Sequence, residues 1–221
     1  MISDYIFISG TNTDVGKTYF GTKLVEYLKR FGGCLAFKPI ETGCKRANKN
    51  LVPHDSTEYH KILKDSIDLD EINPYRFLEP VSPYLAIKKA KKKLYLNHYK
   101  KKLASISKNN LPIIIEGAGG AFSPFAIDGL NIDFMKIIKS NNILVVKDEL
   151  GCIGSTLSHY FSFNKYRVKL DCIVLNNTKK NKMDNYNEIK KYVDIPVYLF
   201  GNSTVTNLKC FKAIRSNLFA K

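Results

Sequence analysis

A chain of 221 residues, 44% of them hydrophobic, is long enough to bury one α/β core, and no Pro/Gly/Ser-rich linker divides it, so residues 1–221 are expected to form a single domain. The formal charge of +15 sits in lysine runs (88–89, 91–93, 100–102, 179–180 and 190–191) without interleaved aromatics, which argues for solvated helix faces rather than a nucleic-acid or membrane partner. Cys34, Cys44, Cys152, Cys172 and Cys210 form no Cys-x-x-Cys pair, no apolar stretch reaches the length of a membrane span, and residues 1–4 do not open a secretion signal, so a reduced cytoplasmic protein is expected.

Residues 5–8 (Tyr-Ile-Phe-Ile) read as a buried strand. They run into Gly10-Thr11-Asn12-Thr13-Asp14-Val15-Gly16-Lys17-Thr18, and residues 19–30 read as a helix. A strand, a glycine-bounded loop and a Gly-Lys-Thr helix start are the setting of a phosphate-binding loop. In such a loop the backbone N–H groups from Thr13 to Thr18 curl around phosphate oxygens, helped by the helix N-terminus. Lys17 would reach the β- and γ-phosphates, and the Thr18 hydroxyl would ligate Mg²⁺. Five residues separate Gly10 from Gly16, one more than in the common pattern. Asp14 is the candidate for the added space, where an acid among phosphates calls for a cation beside it.

Residues 34–37 predict a second short strand, which delivers Lys38-Pro39-Ile40-Glu41-Thr42-Gly43 to the sheet edge where open α/β folds bind ligands. Residues 44–53 read as polar loop, 54–63 as a helix with Asp55 in its first turn, and 65–80 as irregular, broken by Asn73-Pro74 and Glu79-Pro80. Ser82 and Pro83 open a helix that runs to residue 90, and another covers 97–107. Residues 112–115 are the clearest central strand, ending in Glu116-Gly117-Ala118-Gly119-Gly120. A carboxylate held at a strand end beside a phosphate loop suits a metal, and the glycines let backbone approach a ligand closely. A helix over 131–140 and a strand over 142–146 follow. The helix starting at 150–155 offers free N–H groups to an anion. Then come a strand over 171–175 ending in Asn176-Asn177, a helix over 185–192, a strand over 196–199, and a basic helix over 207–220 with Leu208, Phe211, Ile214 and Leu218 inward.

Strands alternating with helices predict an α/β fold of the P-loop NTPase type, a mostly parallel central sheet covered by helices on both faces with right-handed crossovers. The motifs all follow strand ends and converge on one sheet edge. None of the four histidines falls in a catalytic triad, and none is expected to act beyond surface or packing roles.

Taken together, residues 10–18, Lys38-Pro39-Ile40-Glu41-Thr42-Gly43, Asp55, Glu79-Pro80-Val81-Ser82-Pro83, Glu116-Gly117-Ala118-Gly119-Gly120, Leu150-Gly151-Cys152-Ile153 and Asn176 resemble the dethiobiotin synthetase family, in its order and at similar spacing, over residues 5–200. The resemblance implies a homodimer that closes a cyclic urea on 7,8-diaminononanoate with CO₂, ATP and Mg²⁺. It implies Lys17 and Lys38 as catalytic residues, and Thr18, Asp55 and Glu116 as metal ligands. Nucleotide contacts would come from residues 13–18, Gly117, Ala118, Gly119, Asn176 and Asn177. Asp14 would face the diamine and Thr42 the carbamate. Gly151, Cys152 and Ile153 of a partner subunit would receive the substrate's distant carboxylate.

Two departures stand out. Asp148-Glu149 sets two acids beside that carboxylate site, and residues 201–205 lack the proline the family places against the base. The second departure predicts weak base selectivity, so that other nucleoside triphosphates can replace ATP. Two further readings of the residues stay open here: another P-loop carboxylate–amine ligase or small-molecule kinase, and a partition-type ATPase that works on a surface.

Overall fold

Apolar runs buried on both faces become the strands of a parallel sheet. A computed structural model describes residues 5–107, 111–177, 183–201 and 203–219; Lys179, Lys180, Asn202 and Ala220 lie outside them. The chain runs β1 (Tyr5–Gly10), α1 (Lys17–Leu28), a 3₁₀ turn (Lys29–Phe31), β2 (Leu35–Phe37), β3 (Ile40–Glu41), β4 (Lys45–Ala47), β5 (Asn50–Val52), α2 (His54–Leu63), α3 (Leu69–Ile72) and β6 (Tyr75–Arg76). It continues through α4 (Pro83–Lys89), α5 (Leu96–Ile106), β7 (Ile113–Gly120), α6 (Asn131–Ile138), β8 (Asn141–Lys147), α7 (Cys152–Lys165), β9 (Cys172–Asn176), α8 (Asn185–Lys190), β10 (Val197–Phe200) and α9 (Thr204–Leu218).

Six strands form one sheet in the order β10-β9-β8-β1-β7-β2, every pair parallel. Side chains alternate across β1 and so anchor both faces. Phe7 meets Phe125 and Phe134 edge-on, with Tyr99 of α5 joining them. On the α1 side Phe20 packs against Phe200 of β10 and Phe211 of α9.

Three stretches differ from the sequence expectation. Residues 44–53 hold an exposed antiparallel hairpin, β4 against β5, instead of loop. Residues 65–80 hold α3 and β6, with β6 pairing parallel to β3. The last helix begins at Thr204 rather than 207, because the Ser203 hydroxyl accepts the Thr206 N–H at 3.1 Å as an N-cap. Burial along that helix starts only at Cys210, nearly two turns in. Leu208 is therefore 37% exposed, not inward, while Phe211, Ile214 and Leu218 are buried.

Candidate active site

The loop between β1 and α1 is closed by Gly16, which caps α1 with φ 91°. That conformation favours glycine, and a Cβ there would lie 2.0 Å from Asn176 Nδ2. Asn176 donates instead to the Val15 carbonyl at 2.9 Å, tying the loop to the end of β9. Val15 is buried; Thr13 and Asp14 are exposed on the wall of a cleft of about 1020 Å³, and Asp14 itself has φ 57°. Lys17, 7% exposed, donates to the Asn12 carbonyl at 2.9 Å. Burial lowers its pKa against the pull of the Glu116 carboxylate, and the like charge of Lys38 adds to the lowering.

Lys38 leaves β2 into the same cleft. Its backbone is fixed on both sides: its N–H donates to the Ile72 carbonyl at 2.8 Å, and Asn73 Nδ2 donates to its carbonyl at 2.6 Å. Its ammonium, buried, reaches Asp55 Oδ2 and Glu116 Oε1, each at 2.5 Å. Burial alone would lower the Lys38 pKa, but the Glu116 and Asp55 charges outweigh it and the net shift is upward. Burial likewise pushes the Asp55 carboxyl up; the Lys38 charge and hydrogen bond prevail and hold it at about 2. The helix carrying Asp55 has Pro53 as N-cap and no side-chain cap of its own. Glu41 supplies one from a distance, accepting the Asp55 N–H at 2.9 Å and the Ser56 N–H at 3.0 Å.

Glu116 is 1% exposed. Its Oε1 also accepts from the Thr18 hydroxyl at 2.9 Å, and its Oε2 accepts from the Tyr59 hydroxyl at 2.7 Å. Burial first, and then the Glu116 charge, raise the Tyr59 pKa well above the ordinary phenol. Glu116 is not the last residue of its strand, as expected, because β7 runs on to Gly120. The ladder slips there: Ile8 faces Glu116, but Gly10 faces Gly120. The resulting bulge carries Gly117, Ala118 and Gly119 along the cleft wall. Asn131 of α6, fully buried, holds it. Its Nδ2 donates to the carbonyls of Ala118, Gly120 and Ser123, and its Oδ1 accepts the Ala118 N–H.

Thr42 and the exposed His54 also line the cleft; His54 Nδ1 lies 3.3 Å from Asp55 Oδ1. Like the buried Asn176, Asn177 does not line it. Its Nδ2 donates to Asp148 at 2.5 Å, and Asn185 Nδ2 donates to the other oxygen of Asp148 at 2.7 Å. Asp148 is thus buried in an amide cage and Glu149 is paired with Lys147, so neither acid stands bare beside residue 151. Gly151 caps α7 with φ 87°, Cys152 is buried and Ile153 half-buried; none of the three lines this chain's own cleft.

Sequence reading missed Glu41, Tyr59, Asn131 and His54 as parts of this site. Tyr59 did leave a signal, since it follows Asp55 by four residues and so shares its helix face.

The donor set fits a hard divalent cation. Thr18, Asp55 and Glu116 offer only oxygen, and the space between the two carboxylates already holds a cation, the Lys38 ammonium. Among the described residues no three His, Cys, Asp or Glu side chains cluster for a metal, so phosphate oxygens and water would complete such a shell, as suits Mg²⁺.

Comparison with known proteins adds to this geometry. Residues 4–199 match the model of an AAA domain family. The chain is 31% identical to the ATP-dependent dethiobiotin synthetase BioD of Vesicomyosocius okutanii, covering 94% of this chain and 93% of that one. It is 34% identical to the synthetase of Legionella pneumophila strain Lens, covering 74% and 76% respectively. Among solved structures, a ParA family ATPase from Chlorobium tepidum superposes with TM-score 0.56 at 11% identity, covering 97% of this chain and 91% of that one. The MinC:MinD cell division complex of Aquifex aeolicus gives 0.55 at 13%, covering 95% and 87%. These two show the P-loop fold alone. Among the described residues no helix is long and apolar enough to cross a membrane.

Proposed function

The chain belongs to the dethiobiotin synthetase family, the ATP-dependent cyclo-ligases that form dethiobiotin in biotin biosynthesis, and we propose that the cleft at Lys17 and Lys38 is where it closes the ring. One observation supports this placement above the others. One lysine, two carboxylates and a hydroxyl from four separate segments meet within hydrogen-bond reach at one sheet edge, and Lys17 lines the same cleft.

In this reading the triphosphate of ATP lies on residues 13–18, with Lys17 against the β- and γ-phosphates. Thr18, Asp55 and Glu116 would hold Mg²⁺, which would supply charge neutralisation at the phosphates. One amine of 7,8-diaminononanoate adds to CO₂ and releases a proton, with Asp14 facing the diamine and Thr42 the carbamate. A carbamate oxygen attacks the γ-phosphorus and ADP leaves. The second amine then attacks the carbonyl carbon of the carbamic–phosphoric anhydride, phosphate departs, and the cyclic urea closes. No protein nucleophile is needed, because positioning and electrostatics carry phosphoryl transfer. Lys17 and Lys38 offset the negative charge gathering on the transferring group. Lys38 would be available for this role while Asp55 and Glu116 hold the cation.

Gly117, Ala118 and Gly119 face the nucleotide, and Asn176 contacts the base. Asn177, committed to Asp148, serves the base site from behind. Base selectivity is then weak, and GTP or CTP substitutes for ATP in steady-state kinetics at matched Mg²⁺. A preference for ATP of about 10³-fold, roughly 4 kcal/mol, would refute it. Gly151, Cys152 and Ile153 serve the partner's cleft in a homodimer, which five buried thiols suit to a reducing cytoplasm. The test of the whole reading is incubation with 7,8-diaminononanoate, bicarbonate and MgATP, with mass detection of the cyclic urea. Nucleotide hydrolysis without that product would assign the cleft to another ATPase reaction.

A further inference from the structure

Glu116 is held from behind by a contact that neither the phosphate loop nor Lys38 provides. Tyr59 lies one helical turn beyond Asp55 on α2, 1% exposed, and its hydroxyl donates to Glu116 Oε2 at 2.7 Å. Thr18 and Lys38 both donate to the other oxygen, Oε1, at 2.9 and 2.5 Å. The two oxygens are therefore divided: Oε1 is turned to the groups lining the cleft, and Oε2 to a buried phenol. Rotating the carboxylate would break a buried hydrogen bond and leave the phenol unpaired. Space for that phenol is made on a second helix. Gly21 of α1 carries no side chain, and a Cβ there would lie 1.9 Å from the Tyr59 hydroxyl oxygen. Two helices thus form one seat for a single carboxylate oxygen.

We propose that Tyr59 is a positioning residue for the divalent cation: by occupying Glu116 Oε2 it leaves Oε1 as the one oxygen Glu116 offers, so the carboxylate binds through a single atom. Small, octahedral Mg²⁺ accepts such a ligand, whereas Ca²⁺ tolerates a bidentate carboxylate and more ligands. Tyr59 therefore favours Mg²⁺ over Ca²⁺ as well as strengthening its binding. This inference rests on the reading of Glu116 as a metal ligand.

The test uses Mn²⁺ as a spectroscopic probe, titrated by electron paramagnetic resonance into the protein with ADP present, with Ca²⁺ as competitor. Tyr59→Phe keeps the ring and removes only the hydroxyl. It is expected to weaken Mn²⁺ binding on the order of 10-fold, the usual scale for losing a partner behind a metal ligand, and to let Ca²⁺ compete better. Gly21→Ala displaces the same hydroxyl from the opposite side and is expected to do likewise. Because both act on one hydrogen bond, the double variant should lose no more than either single one. Unchanged Mn²⁺ affinity and Ca²⁺ competition in folded Tyr59→Phe, or fully additive losses in the double variant, would overturn the inference and leave Tyr59 as packing. Glu116→Gln separates the two readings. If it too leaves Mn²⁺ binding unchanged, Glu116 is not a ligand; if it alone weakens binding, only the role of Tyr59 fails.

Discussion

Lys38 carries two jobs that a second substitution, at Glu116, separates. It neutralises Asp55 and Glu116, and in the proposed reaction it meets the transferring phosphoryl group. A buried charge that loses its partner is costly, about 3 kcal/mol or more. Lys38→Met should therefore lower stability by about that amount in urea denaturation at neutral pH, besides slowing turnover on the order of 10²-fold. Adding Glu116→Gln should restore part of the stability and none of the activity, because it removes the stranded charge but not the need for Lys38. Asp55 gives a second prediction at this scale. Its folded pKa of about 2 lies below the ordinary 3.8, so its pairing with Lys38 stabilises the fold fully above about 3.8. That contribution fades as pH falls toward 2. Asp55→Asn should flatten the acid limb of the stability profile across this window, followed by circular dichroism, and leave the profile above it parallel to that of the parent. A steepening of the limb would show that Asp55 is not held by Lys38.

At the scale of elements, what the sequence disclosed and what it concealed divide by range. Lys17, Thr18, Lys38 and Glu116 were legible because each follows an apolar run that reads as a strand, whereas Asp55, in the first turn of a helix after a polar stretch, was singled out only by the family resemblance. Strands and long helices were legible from apolar runs. The hairpin of β4 and β5 was not, since its residues are exposed and carry no apolar alternation. Nor was the role of Asn131 visible, because an amide at a helix start has the look of an ordinary cap. Its actual work is tertiary: one side chain holds two carbonyls and one N–H of the bulge that brings Gly117–Gly119 to the cleft, and the Ser123 carbonyl just beyond it. Asn131→Leu is close in size but leaves those groups unpaired. It should cost at least about 2 kcal/mol, and nucleotide affinity should fall with it because the bulge relaxes. Equilibrium denaturation and a fluorescent-nucleotide titration would measure both. A loss of stability with unchanged nucleotide binding would place the bulge outside the nucleotide site.

For the whole molecule, the sheet order places the phosphate loop, Lys38 and the bulge around adjacent strands β1, β2 and β7, so their convergence follows from topology. Gly151, Cys152 and Ile153 follow β8, on the other side of β1, and none of them lines the cleft. Leu150 beside them is 88% exposed, a large apolar side chain at the start of α7. If these residues complete the cleft of a second copy, a dimer contains two composite sites, and the symmetry of a two-fold pair makes this testable by mixing inactive chains. Lys17→Ala disables the cleft of the chain that carries it. Ile153→Asp places a negative charge where the substrate's carboxylate is proposed to lie, and so disables the cleft that residue 153 serves. In a mixed dimer, the Ile153→Asp chain still has its own Lys17, and the Lys17→Ala chain supplies a normal Ile153 to it. One of the two clefts is then intact. Random reassociation of equal amounts should recover about a quarter of parental activity, since half of the dimers are mixed and each has one working site. If residue 153 serves its own chain, or serves no cleft, the mixture recovers nothing beyond the activity of the separate variants.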